Sequence, residues 1–139
     1  MKSRAPKEPL RILVVEDDRV TYSALTMLLR HYHYDVTLAR TLAEGKRELE
    51  RQDPNLVILD LMLPDGNGLD VLELIRQSGS KTRVAVVTGS DLPETEKRLR
   101  RLRPDWYFRK PLNFIELLQG IQGDPEAGDD ARDGQLPVV

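Results

Sequence analysis

The sequence predicts an α/β fold built on a parallel sheet covered on both faces. Two observations carry that reading. Short β-rich apolar runs alternate with amphipathic stretches of helical spacing, five times in all, between residues 10 and 123. Such alternation is the pattern of βα units. Three of the runs, LRILVV at 10–15, LVIL at 56–59 and VAVV at 84–87, are almost continuously apolar. A strand with one solvated face alternates polar and apolar residues, whereas a strand buried on both faces does not need to.

The elements follow in order. The first run ends at three acids, Glu16, Asp17 and Asp18. Residues 19–33 show helical spacing through Leu25, Leu28, Leu29 and Tyr32. Residues 34–39 (YDVTLA) alternate like a strand. Thr41 followed by Glu44 is the pattern of a capping box, opening a helix that runs to Arg51 and stops at Asp53-Pro54. The LVIL run ends at Asp60, and Pro64-Asp65-Gly66-Asn67-Gly68 is a turn signal. A third helix carries Leu69, Leu72 and Ile75 on one face. The VAVV run ends at Thr88, and residues 93–103 form a fourth helix with Leu99 and Leu102 inward. Residues 106–109 make a fifth strand ending at Lys110-Pro111, and residues 113–122 a last helix with the stripe Ile115, Leu118 and Ile121.

Composition bounds the chemistry. The chain has 139 residues, 40% hydrophobic and 32% charged, enough for one domain with a core. It has no cysteine, which excludes disulfides, zinc–thiolate sites, iron–sulfur clusters and cysteine nucleophiles. Twenty-one basic residues face 23 acidic ones, for a net charge of −2. That balance gives no general case for nucleic-acid binding. The charge is nonetheless partitioned: residues 1–9 are basic, residues 124–139 are acidic, and the middle balances. The expected organisation is a flexible extension at 1–9, a domain at 10–123, and an acidic disordered tail or truncated linker at 124–139. A stand-alone module and one excised from a longer protein are both compatible with this length. No run approaches the roughly 18 apolar residues of a membrane helix, and no signal-peptide core follows the basic start. A cytoplasmic location without membrane contact is the default expectation.

Chemistry collects at one place. Glu16 and Asp17, Asp60, Thr88 and Lys110 each stand at the carboxyl end of a predicted strand. In an open α/β sheet those ends line one edge, and ligands bind there. Three carboxylates so close need neutralising. A hard divalent cation such as Mg²⁺, which prefers oxygen ligands and often shares its shell with phosphate, answers that need. Asp60 then has the chemistry of a nucleophile toward a phosphodonor. Taken singly, Asp17 and Asp60 also read as helix N-caps, Thr88 as a strand-end threonine and Lys110 as a surface lysine. Asp18 reads as an N-cap or an exposed residue.

With VVEDD at 14–18, LVILDLMLPDGNGLDVL at 56–72, VVTG at 86–89 and YFRKPL at 107–112, the chain resembles the response-regulator receiver domains of two-component signalling, the CheY-like superfamily. The resemblance covers about residues 10–121. It implies a flavodoxin-like, doubly wound sheet of five parallel strands in the order 2-1-3-4-5, flanked by five helices. It implies that Asp60 is the phosphoacceptor and Asp17 the main direct Mg²⁺ ligand. Glu16 would act on the metal mostly through water, and the Met62 backbone carbonyl would complete the protein ligands. Thr88 and Lys110 would contact the phosphoryl group, and Tyr107 would occupy an aromatic switch position. Phosphorylation would then remodel a face made by the fourth helix, fifth strand and fifth helix. The implied partners are a histidine kinase or histidine phosphotransfer protein, a downstream target protein, and a second copy at the signalling face. No external substrate would be turned over.

Other features divide between bland and functional readings. Lys97, Arg98, Arg100, Arg101 and Arg103 put five basic residues in seven, either a solvated helix face or a docking surface. Trp106 reads as packing or as an exposed anchor on that surface. Phe108 reads as core, with Tyr107 on the other side of the strand. His31 and His33 read as surface histidines. The stretch RLRPDWYFRKP departs from the small residues many receivers carry there. Met62, apolar and two residues after the acceptor, implies slow self-dephosphorylation. Two rivals remain: a receiver-fold module that binds partners without phosphorylation, and an aspartate-nucleophile phosphatase, which would need an acid where Met62 stands.

Overall fold

A computed structural model describes residues 9–89 and 93–123. The expected tail at 124–139, and the expected extension apart from Pro9, lie outside the described residues. Five strands form one parallel sheet: β1 (Arg11–Val15), β2 (Asp35–Ala39), β3 (Leu56–Asp60), β6 (Arg83–Thr88) and β7 (Trp106–Arg109). Their order is β2-β1-β3-β6-β7, which is the expected 2-1-3-4-5 when only this sheet is counted. Five helices connect and cover them: α1 (Arg19–His31), α2 (Leu42–Arg51), α3 (Leu69–Ser78), α4 (Pro93–Leu102) and α5 (Phe114–Gln122). Two-residue strands β4 (Met62–Leu63) and β5 (Gly66–Asn67) pair antiparallel as a small hairpin between β3 and α3. Sequence periodicity had shown only a turn there, because two residues are too few to display a period.

Alternation along each strand splits the core in two. Leu13, Val15, Val57, Leu59, Val84 and Val86 face α2, α3 and α4. Ile12, Val14, Ile58, Ala85 and Val87 face α1 and α5 through Leu25, Leu29, Leu117 and Ile121. This is why the strand runs carry no polar alternation. On α5 the expected stripe is corrected: Leu117 is fully buried with Leu118 and Ile121, while Ile115 is 67% exposed. Trp106 is 4% exposed within the α1–α5 core, so it is packing and not a surface anchor. Tyr107 and Phe108 are both half-buried, Tyr107 against the α2–α4 core and Phe108 against the other. The assignment of Phe108 alone to the core therefore changes: with both sheet faces covered, each ring meets a core.

The helix ends are capped as the sequence implies, with additions. Asp18 caps α1, its carboxylate accepting from the Thr21 backbone N–H at 2.9 Å and hydroxyl at 2.6 Å. The Thr41 hydroxyl accepts from the Glu44 N–H at 3.0 Å. The returning Glu44 carboxylate accepts from the Arg40 N–H at 2.7 Å, one residue before the usual capping-box donor. Asp65, from the turn after Asp60, also reaches α2: its two oxygens accept from the Leu42 N–H at 2.7 Å and the Ala43 N–H at 3.0 Å. Those first-turn donors have no partner within the helix.

The Leu42 N–H, with the other contacts around it, holds the Asp65 carboxyl below the usual carboxylate range. A depressed folded pKa adds stability above the unfolded value of about 3.9 and loses it as the pH falls through the folded one. Asp65→Asn is therefore expected to lower the thermal midpoint at pH 7 and to narrow its gap from wild type at pH 3. A gap that stays constant across that range would refute this role.

Candidate functional site

The sheet reverses direction of growth between β1 and β3, and the carboxyl ends of those strands hold the site. Val15 pairs with Leu59, which sets the next residues, Glu16 and Asp60, side by side. Asp60 pairs with Val87 on its other side, and Thr88 is the last residue of β6. The Lys110 N–H donates to the Thr88 carbonyl at 2.9 Å, which brings the lysine to the same edge. Parallel register thus gathers residues 16, 60, 88 and 110 from four strand ends.

Lys110 Nζ lies 3.2 Å from Asp60 Oδ2 and 3.3 Å from Glu16 Oε1. Asp60 Oδ1 accepts from the Met62 N–H at 3.2 Å. Glu16 Oε2 accepts from the Asp18 N–H at 3.0 Å. Glu16 is 2% and Asp60 5% exposed. Two nearly buried carboxylates therefore share one ammonium. Burial, with the charge of Asp60 added to it, pushes the Glu16 carboxyl up to about 7, against the opposing Asp18 N–H and Lys110. Burial acts to lower the Lys110 pKa, but Asp60 and Glu16 outweigh it and the net shift is upward.

Gly68 completes the local architecture. A Cβ there would collide with the Asp60 carbonyl oxygen and press on the Leu61 Cα, so the loop can close only on glycine. The Gly68 N–H donates to the Leu61 carbonyl at 2.8 Å. The Pro-Asp-Gly-Asn-Gly turn is thereby folded under the backbone of Asp60.

The remaining predicted residues are placed as follows. Asp17 is exposed, and among the described residues no hydrogen bond or ion pair joins it to Glu16, Asp60 or Lys110. Thr88 is fully buried. It continues the alternation of Val84 and Val86, so it shares the α2–α4 side of the sheet with Tyr107. The Met62 side chain is 64% exposed. Lys97, Arg100, Arg101 and Arg103 are exposed on or just after α4. Arg98 is a correction to the docking surface: it is half-buried and committed to α3, with Nη2 at 2.8 Å from Asp70 Oδ1 and 2.6 Å from Glu73 Oε1. Arg101 Nη1 also approaches Glu73, at 3.9 Å. From the other direction, Arg76 of α3 donates to the Leu102 carbonyl at 3.0 Å and the Arg103 carbonyl at 2.7 Å, closing the end of α4. Sequence reasoning missed these α3–α4 ties because the partners lie more than a helix apart.

The donor set is all oxygen, with more negative than positive charge, which suits a hard divalent cation. Among the described residues no three acidic or histidine side chains stand close enough to form a finished metal cage.

The comparisons decide the family. A model of the response regulator receiver domain matches residues 12–122. The chain belongs to that family. It is 33% identical over 115 residues to the probable transcriptional regulatory protein TcrX of Mycobacterium tuberculosis (strain ATCC 25618 / H37Rv), covering 83% of this chain and 49% of that protein. The chain thus spans about half the length of curated relatives such as this one. Among solved structures, a CheY-like response regulator receiver domain protein from Methanospirillum hungatei JF-1 superposes with a TM-score of 0.80 at 28% identity. That match covers 88% of this chain and 98% of the other. A Burkholderia pseudomallei response regulator, solved with a phosphorylated aspartic acid, a calcium ion and citrate, shares the fold at 23% identity. Its TM-score is 0.74, with 94% of this chain and 76% of that one covered. Receiver domains are signalling modules of two-component systems. In this receiver no helix among the described residues is long and apolar enough to cross a membrane.

The crowded carboxylates make a stability prediction. Asp60→Asn leaves Glu16 and Lys110 as a one-to-one pair and is expected to stabilise the metal-free protein by about 1 kcal/mol, a thermal midpoint rise of roughly 3–6 °C. An unchanged or lower midpoint would show that the pair carries no such strain.

Proposed function

We propose that this receiver accepts a phosphoryl group on Asp60 from a histidine kinase or histidine phosphotransfer protein, with Mg²⁺, and that the modification switches a protein-interaction face. One observation carries the reading: a buried carboxylate at a strand end, with Lys110 Nζ at 3.2 Å and a second buried carboxylate sharing that ammonium. Glu16, Asp17, Asp60 and the Met62 backbone carbonyl would hold the metal. When bound, the ion neutralises carboxylate and phosphoryl charge.

The chain's own residues do the rest. A carboxylate oxygen of Asp60 forms the new bond to phosphorus, the bond from phosphorus to the donor's imidazole nitrogen breaks, and its electron pair leaves with that nitrogen. Lys110 pairs with a phosphoryl oxygen, so the charge it now balances on Asp60 moves outward without leaving the site. The Thr88 hydroxyl donates to another oxygen. Moving Thr88 relieves or crowds Tyr107, which shares its side of the sheet, and so biases α4. The face made by α4, β7 and α5 then meets the target or a second copy, with exposed Lys97, Arg100 and Arg101 on it. Val20, Met62 and Ile115 are exposed and come within a few residues of the ends of β1, β3 and β7, apolar surface that a phosphodonor approaching the strand ends could cover. Nothing in this cycle calls for an external substrate, and none for nucleic acid.

Incubation with Mg²⁺ and acetyl phosphate is expected to add one phosphoryl group by intact mass, and Asp60→Asn to abolish it. An unmodified wild type would sink the mechanism, and a modified Asp60→Asn would move the acceptor elsewhere. The exposed apolar Met62 offers nothing to orient an attacking water. Met62→Asn is therefore expected to shorten the phosphoprotein half-life by about tenfold, in line with a positioned polar group assisting water. An equal half-life by timed mass measurement would count against that role.

A further inference from the structure

The free face of α4 is basic. Lys97, Arg100 and Arg101 are exposed on the helix, and Arg103 is exposed just after it. Arg98 is spent on Asp70 and Glu73. Of the other four, Arg101 approaches Glu73 at 3.9 Å, and Lys97, Arg100 and Arg103 have no ion-pair partner among the described residues. The acids of α4, Glu94 and Glu96, stand in its first turn.

Arg103 is the most telling of the four. Its φ of 53° lies in the left-handed region, where its N–H donates to the Leu99 carbonyl at 2.8 Å and closes the helix. Glycine is the residue that takes this place without strain. An arginine takes it here, its carbonyl bound by Arg76 at 2.7 Å and its side chain left exposed. A backbone cost is thus accepted where a surface cation results.

The opposite charge follows the end of α5. Gly123 is followed by Asp124, Glu126, Asp129, Asp130 and Asp133, against the single Arg132. Both α4 and α5 end at the edge of the sheet where the strands begin. A Cβ on Gly120 of α5 would lie 3.3 Å from Trp106 Nε1, and Trp106 opens β7 three residues after Arg103. Extended chain from Gly123 to Asp133 reaches about 35 Å at most. The stretch from Lys97 to Leu102 on α4 is only about 8 Å long. Single exposed ion pairs are weak. Five acids tethered beside four cations act together, because the tether sets an effective concentration on the order of millimolar.

We propose that the acidic segment 124–139 of this chain docks on its own α4, on the face formed by Lys97, Arg100, Arg101 and Arg103. Its carboxylates supply the acceptors that this face lacks. The segment would then compete with an acidic target for the same cations, a consequence that rests on the Asp60 reading above, while the docking itself does not.

The test uses the full chain with a nitroxide on Ala131→Cys, which is a unique label because the chain has no cysteine. Amides of residues 97–103 are expected to lose intensity selectively. Those at the end of α1, which packs beside α5 on the other side of the sheet, should keep theirs. Changing the five acids to Asn or Gln, or Lys97 and Arg100 to Gln, should restore the α4 signals. Arg103→Gly should restore part of them while raising the thermal midpoint, a pair of effects that loosening α4 would not give. A mixture with nitroxide and ¹⁵N on different molecules should show no loss. Equal loss at α1 and α4, loss at α4 that survives neutralisation, or loss in the mixture, which would seat the segment on a second copy, would each overturn the proposal. The measurement is made without Mg²⁺ or phosphodonor, so its failure leaves the Asp60 reading standing.

Discussion

The ammonium of Lys110 between the carboxylates of Glu16 and Asp60 is the constraint on which the rest of the structure turns. Two carboxylates, both nearly buried, each lie within four ångströms of that one ammonium. Such a cluster is unfavourable to fold around, so it persists only where surrounding packing over-determines it. The sheet supplies that packing: every residue of β3 is buried, and β1 is buried from Ile12 onward. The loop beneath Asp60 is pinned in the same sense, by Gly68 from below and by Asp65 reaching across to α2. The hydrophobic effect stabilises the platform, and the platform holds two carboxylates crowded on one ammonium, a state that a proton, a ligand or a modification can relieve.

The two sides of the sheet have different characters. The α1–α5 side is held by large apolar side chains and includes Trp106. The α2–α4 side is also apolar at its centre, but its outer helix is not. Leu99 and Leu102 are the buried leucines of α4, and polar contacts to Asp70, Glu73 and Arg76 of α3 do much of the remaining work. Thr88 and Tyr107 lie on this same side. A displacement beginning at the edge that holds Asp60 and Thr88 therefore meets the more polar and less deeply packed helix first.

Much of this was legible in the sequence, for identifiable reasons. Continuous apolar runs revealed strands buried on both faces, and a polar residue ending each run marked the edge where Glu16, Asp60 and Lys110 meet. Asp18 and Thr41 announced helix starts because capping is local chemistry. What the sequence concealed depended on distance. The partners of Arg98 come from a neighbouring helix, and the second cap on α2 comes from a loop 22 residues further along. Ile115 had helical spacing, but the inward stripe of α5 runs through Phe114, Leu117, Leu118 and Ile121, and Ile115 falls one position off it. Trp106 was ambiguous because a tryptophan can be an anchor or a packing residue, and only the covering of β7 by α5 distinguishes them.

The ties between α3 and α4 have a consequence for how the protein responds to its solution. Arg98, Asp70 and Glu73 are partly exposed, so their attraction falls as ionic strength rises and the Debye length shrinks from about 10 Å at 0.1 M to about 3 Å at 1 M. Apolar contacts on the opposite side do not weaken in that way, and some salts strengthen them. Added salt therefore acts on this molecule unevenly, loosening one helix while leaving the sheet and the far core in place. The ionic composition of the surroundings is thus a graded input to the same helix that the proposed phosphorylation would address.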